Sequence, residues 1–171
     1  MCQWLASNPN ELHLVNRMDE VGSSKSVNFD GARKMALKQI EEFLLSFSDP
    51  HIFSEAATSS APATLAQVVE AVRIPEAGNL ICSAAAIGKY VSMLQNPSSL
   101  LRACAAFAFV QFTLPGGQHA MHHAGLLQNA GASPVLRASA EAATARIESK
   151  MYARIVLRNL EHLQSSPSTQ F

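Results

Sequence analysis

Apolar positions along the chain recur at helical spacing, and no segment alternates convincingly at period two. The densest run covers residues 100–112, where Arg102 is the one charge among almost wholly apolar neighbours. A helix apolar nearly all round has to be buried on most of its sides. Ser98 and Ser99 stand before it, and either hydroxyl can accept a free first-turn N–H. Leu114-Pro115-Gly116-Gly117 follows, which no ordinary helix crosses. The pattern therefore predicts one central buried helix with other elements packed around it.

Further stripes predict those elements. Asn8-Pro9 opens a short helix through Leu12, Val15 and Met18. Asp30 is placed to cap a helix over 31–47, with Met35, Leu37, Ile40, Phe43, Leu44 and Phe47 on its apolar side. Residues 51–57 make one or two turns, and 64–72 carry the stripe Leu65, Val68, Val69 and Val72. Residues 76–95 read as one long helix with Leu80, Ile81, Ile87, Val91 and Leu94 turned inward. Shorter helices are expected over 118–128 and 135–143, and a long one over 146–164. The expected organisation is an N-terminal segment 1–28 with a short helix, an all-α domain over 29–164, and a flexible polar tail 165–171.

Composition narrows the class. Hydrophobic residues make up 48% and charged residues 15%, which excludes disorder of the whole chain. Thirteen basic and thirteen acidic residues balance, so electrostatic capture of nucleic acid or an anionic membrane is not expected. Cys2, Cys82 and Cys104 show no CxxC spacing; they read as two buried thiols in helical runs and one terminal thiol, in a reducing compartment. The N-terminus lacks the basic and long apolar stretches of a signal peptide. The most apolar run is about half of the ~20 residues a membrane span needs. The expectation is a soluble protein, cytoplasmic and/or nuclear.

Three helices share a pentapeptide: Ala36-Leu37-Lys38-Gln39-Ile40, Ala108-Phe109-Val110-Gln111-Phe112 and Val156-Leu157-Arg158-Asn159-Leu160. Each runs from a small or β-branched residue to a large apolar one, then to an amide and a second large apolar residue. Ala130-Gly131-Ala132-Ser133-Pro134-Val135-Leu136 precedes the last helix, much as Tyr90 to Asn96 precedes the central one. With these residues the chain resembles the armadillo repeat, a unit of about forty residues with three helices. That family's first helix often opens Ala-Gly-Ala-x-Pro-x-Leu, and its third ends Ala-Leu-x-Asn-Leu. Residues 80–162 match best. The departures are unequal spacings, 72 residues from Ala36 to Ala108 and 48 from Ala108 to Val156, and Gln in place of Asn at two positions. A plain helical bundle is the alternative.

The resemblance implies a right-handed α-solenoid of about two to three repeats, acting as an adaptor without enzyme activity or cofactor. Its third helices would line a groove for an extended protein or peptide segment. Gln39, Gln111 and Asn159 would be the amides that bond a partner's backbone, since a carboxamide both donates and accepts. Arg146, Lys150, Arg154 and Arg158 recur every fourth residue as a basic edge, which places Arg154 and Arg158 at the groove's rim for an acidic partner. A short array also leaves an apolar end through which copies could self-associate.

The competing chemistry is His119-Ala120-Met121-His122-His123. His119 and His123 share a helix face at metal-ligand spacing, but no Glu stands between them as in HExxH, and no nearby Cys or acid completes a site. A small helical enzyme or metal protein built on this cluster, or a structural self-associating fragment, are the alternative functions. Pro115-Gly116-Gly117 lacks the Lys and Ser/Thr of a phosphate loop and reads as a turn.

Overall fold

The computed structural model describes residues 27–59 and 61–166; the helix expected over 8–21 and the last five residues lie outside them. The chain divides into two compact units, residues 1–47 and 48–171. Among the described residues all regular structure is helical.

The first unit contributes α1 (Val27–Ser46), which begins four residues before its expected start. Asp30 therefore lies inside the first turn and is not the cap. A negative side chain there still suits the positive end of the helix dipole.

The second unit runs α2 (Pro50–Ser59), α3 (Pro62–Val72), a 3-10 turn (Pro75–Asn79), α4 (Ala84–Met93), α5 (Ser99–Phe112), α6 (Ala120–Asn129), α7 (Ala132–Glu141) and α8 (Ile147–Ser165). Its centre is α5, as its pattern requires. Leu100, Leu101, Ala103 and every residue from Ala105 to Leu114 are buried. Ser98 caps the helix by accepting the Leu101 N–H. Arg102 turns back to donate to the carbonyls of Asn96 and Pro97 at 2.6 and 3.0 Å. That disposes of the one charge in the run without burying it unpaired.

Helix α5 packs between α4 and α8. Tyr90 of α4 meets Phe109 and Phe112 edge-on, with ring centroids 5.9 and 6.1 Å apart. On the other side Tyr152 of α8 meets Phe107 at 5.6 Å, and Phe53 of α2 meets Tyr152 at 6.1 Å. Edge-to-face pairs place the positive ring edge on the negative face, which adds to plain area burial. Helix α8 also packs on α7, α6, α2 and α3, so it is the second organising element.

The long helix expected over 76–95 is two pieces. The turn Pro75–Asn79 is 3-10, residues 80–82 are non-helical, and α4 starts only after Ser83. Two bonds hold the break. Ser83 Oγ accepts the Ala86 N–H at 3.1 Å, and the Cys82 N–H donates to His123 Nε2 at 3.0 Å. Ile81, expected inward, is consequently 67% exposed. Cys82 lies in this break rather than in a helix, and both Cys82 and Cys104 are free and half-buried rather than fully interior. Gly131 sits at φ +69° between α6 and α7, a left-handed residue that ends one helix and begins the next.

Candidate interaction face

Nine residues of α8 are buried, among them Met151, Tyr152, Ile155, Val156, Asn159 and Leu160. The remaining stripe carries the basic edge expected from the sequence. Lys150 and Arg154 are half-buried and Arg158 is exposed. Arg146, at the head of that series, donates to Glu148 at 3.4 Å. Among the described residues no carboxylate pairs with Arg158. Its Nη1 instead donates to the Pro62 carbonyl, 3.0 Å away, at the start of α3.

Asn159 follows, and its side-chain orientation is fixed by a directed chain of hydrogen bonds. Thr113 Oγ1 donates to the Phe109 carbonyl at 2.7 Å, a bond its hydroxyl proton must supply. The same oxygen can then only accept from Asn159, whose Nδ2 lies 3.3 Å away. The amide nitrogen thus points to Thr113, and Asn159 Oδ1 has no partner among the described residues. Asn159 lines a cleft between α8 and α3. Leu65, Ala66, Val69, Glu70 and Arg73 line it from the α3 side, Ile155, Arg158, Asn159 and His162 from α8, and Pro115 also contributes.

Gln111 stands differently from its expected role. It is 1% exposed, and both ends of its amide are engaged within the chain. Oε1 accepts the Ile74 N–H at 2.9 Å, and Nε2 donates to the Val72 carbonyl at 2.8 Å. These are the orphan groups where α3 ends and the backbone turns extended. A buried amide so paired has nothing left for a partner, so Gln111 is a positioning residue for the end of α3. Gln39 is exposed on α1, in the other unit. Asn159 and Arg158 thus line the cleft together, Arg154 stands one turn earlier on α8, and Gln111 is tied to the opposite wall. That opposite wall, α3, was visible in sequence only as an apolar stripe; nothing in its spacing signalled that Leu65, Val69 and Arg73 face the basic edge.

The histidine cluster is likewise committed to structure at its innermost member. His123 is buried; with Nε2 accepting from Cys82, its Nδ1–H donates to the Phe112 carbonyl at 3.1 Å. Burial lowers its pKa below the ordinary imidazole value, the Phe112 carbonyl opposes that shift, and the neighbouring His122 and His119 reinforce it. A metal ion on His123 would have to break one of these two bonds. Among the described residues no group of three His, Cys, Asp or Glu could hold a metal ion. Among them too, no helix is long and apolar enough to cross a membrane.

Short helices in series, the two longer helices α5 and α8 side by side, and a two-residue turn between α6 and α7 define an armadillo-like α-solenoid. The chain is 54% identical over 155 residues to Protein ARABIDILLO 1 of Arabidopsis thaliana, and 55% identical over 157 residues to Protein ARABIDILLO 2 of the same plant. Both relatives are armadillo-repeat proteins, which bears out the armadillo-repeat resemblance read from the sequence. The matches cover 91% and 87% of this chain but 17% of each relative, so the chain spans about one sixth of their length. No family model matches the chain, and no solved structure does.

Proposed function

We propose that this chain is a protein-interaction segment without catalytic activity, which holds an extended acidic partner segment along α8 through Asn159, Arg154 and Arg158. The observation that carries this reading is the orientation of Asn159. Its Oδ1 is presented as an acceptor beside a guanidinium that no carboxylate neutralises among the described residues. An extended peptide supplies the complement, a backbone N–H for the amide oxygen and acidic side chains for the arginines. The armadillo-repeat character of the relatives supports a repeat-based interaction role.

The test is a titration of a partner recovered by pull-down against wild type, Asn159→Ala and Arg158→Glu. Asn159→Ala should weaken binding by roughly 1–2 kcal/mol, the scale of one hydrogen bond. Arg158→Glu should weaken it further and reverse its salt dependence, because the field at the rim changes sign. Wild-type affinity in both folded variants would move the contact surface elsewhere.

A further inference from the structure

We infer that the partner segment docks in the cleft between α3 and α8, not on α8 alone, and that this cleft selects an aliphatic residue together with a nearby aspartate or glutamate. The inference rests on the reading above and adds the second wall and the chemistry it selects.

The α3 wall is pinned at both ends by residues of the third helices. Arg158 donates to the Pro62 carbonyl where α3 begins. Gln111 holds Val72 and Ile74 where it ends. An eleven-residue helix fixed at its two ends is a rigid wall, and a cleft between rigid walls is formed before its occupant arrives. The amides and arginines expected to meet the partner directly thus divide the work: Gln111 places the wall, and Asn159 faces the space.

Charge and polarity within the cleft specify the occupant. The half-buried Val69 and the edges of the otherwise buried Leu65 and Ile155 make the cleft's lining apolar. Among the described residues Glu70 is the one carboxylate lining it, and it is paired with Arg73 at 2.9 Å. Arg158 has no carboxylate partner among the described residues. An arriving carboxylate therefore meets a cation rather than an existing ion pair. An aliphatic side chain fits the apolar surface, and its backbone N–H meets Asn159 Oδ1. A basic segment gains none of this.

The test uses fluorescein-labelled Gly/Ser octapeptides, each with one Leu and one Asp placed one to three positions apart, and fluorescence anisotropy with the whole chain. The variants are Asn159→Ala on α8 and Ala66→Glu on α3. Ala66 is exposed, so a glutamate there leaves the core untouched while placing an acid in the cleft. At least one spacing should bind wild type. Binding of that peptide should fall about tenfold or more with either variant, and by a similar factor when its Asp is replaced by Asn. If Asn159→Ala weakens binding and Ala66→Glu does not, the second wall is wrong while the α8 reading stands. If the Asn peptide binds as well as the Asp peptide, the selectivity is wrong. If no spacing binds, or neither variant matters, both readings fall.

Discussion

Gln111 and Ile74 are 37 positions apart in sequence and joined by a 2.9 Å hydrogen bond in the interior. The same carboxamide returns a bond to the Val72 carbonyl, so one side chain satisfies both backbone groups at the end of α3. Gln111→Leu keeps the volume but leaves a buried N–H and a buried carbonyl without partners. An unsatisfied buried group costs about 1–3 kcal/mol, so a loss of about 2–4 kcal/mol is expected in urea unfolding. Amide exchange at Ile74 should speed up in the same variant. A loss under 1 kcal/mol would mean that water replaces the amide and that the wall is not fixed there.

The core makes a simpler claim. Phe109 is fully buried and edge-on to Tyr90. Phe109→Ala should cost about 3–5 kcal/mol, the usual loss for a core aromatic. Met121, 56% exposed, provides the control, and Met121→Ala should stay within about 0.5 kcal/mol of wild type. Similar losses at the two sites would contradict the burial of α5.

His123 makes stability depend on pH. The folded state favours its neutral ring, so its folded pKa lies below the ordinary 6.5. Above 6.5 both folded and unfolded chains hold it neutral, and its full contribution is present. As pH falls through 6.5 the unfolded chain takes up a proton that the folded chain resists, so stability declines until the folded pKa is passed. One group can impose a slope of at most about 1.4 kcal/mol per pH unit. Urea midpoints between pH 7.5 and 5.5 should therefore fall more steeply for wild type than for His123→Gln. Parallel profiles would show that His123 does not contribute.

The thiols give a kinetic prediction. Burial raises both Cys82 and Cys104 from the usual 9.0 to about 11. The thiolate is the reactive form, so a pKa raised by about two lowers its fraction about 100-fold near neutrality. In a Cys2→Ser background, modification by a disulfide reagent at pH 7.5 should be slower than for a free thiol by about tenfold or more, the greater nucleophilicity of a more basic thiolate offsetting part of the lost fraction. Reaction at the rate of free cysteine would show that neither thiol is held in the fold.

The all-α class and the central helix were readable because helical periodicity and a nearly uncharged run of thirteen residues are local signals. So were the repeat resemblance and the basic edge of α8. The break at residues 80–83 was not, because one of the bonds that hold it comes from His123, 41 positions from Cys82. The same holds for the site. Asn159 and the arginines were legible as residue types on a helix face, but Gln111 matches Asn159 in its pentapeptide and differs in its surroundings. What separates them is α3, which closes over one amide and stands back from the other, and no local pattern carries that distance.

Only Ala130 and the left-handed Gly131 join α6 to α7, leaving that junction with little slack. Adding one residue within either helix beside it would turn everything beyond by about 100°, given 3.6 residues per turn. The buried side chains Leu127 on α6 and Leu136 on α7 would then lose their shared orientation. Length differences between successive units therefore have to be taken up at junctions with several non-helical residues, such as 113–119 and 142–146. The Gly131 corner sets the phase of the array, and the longer loops are where a unit can grow without disturbing its neighbours.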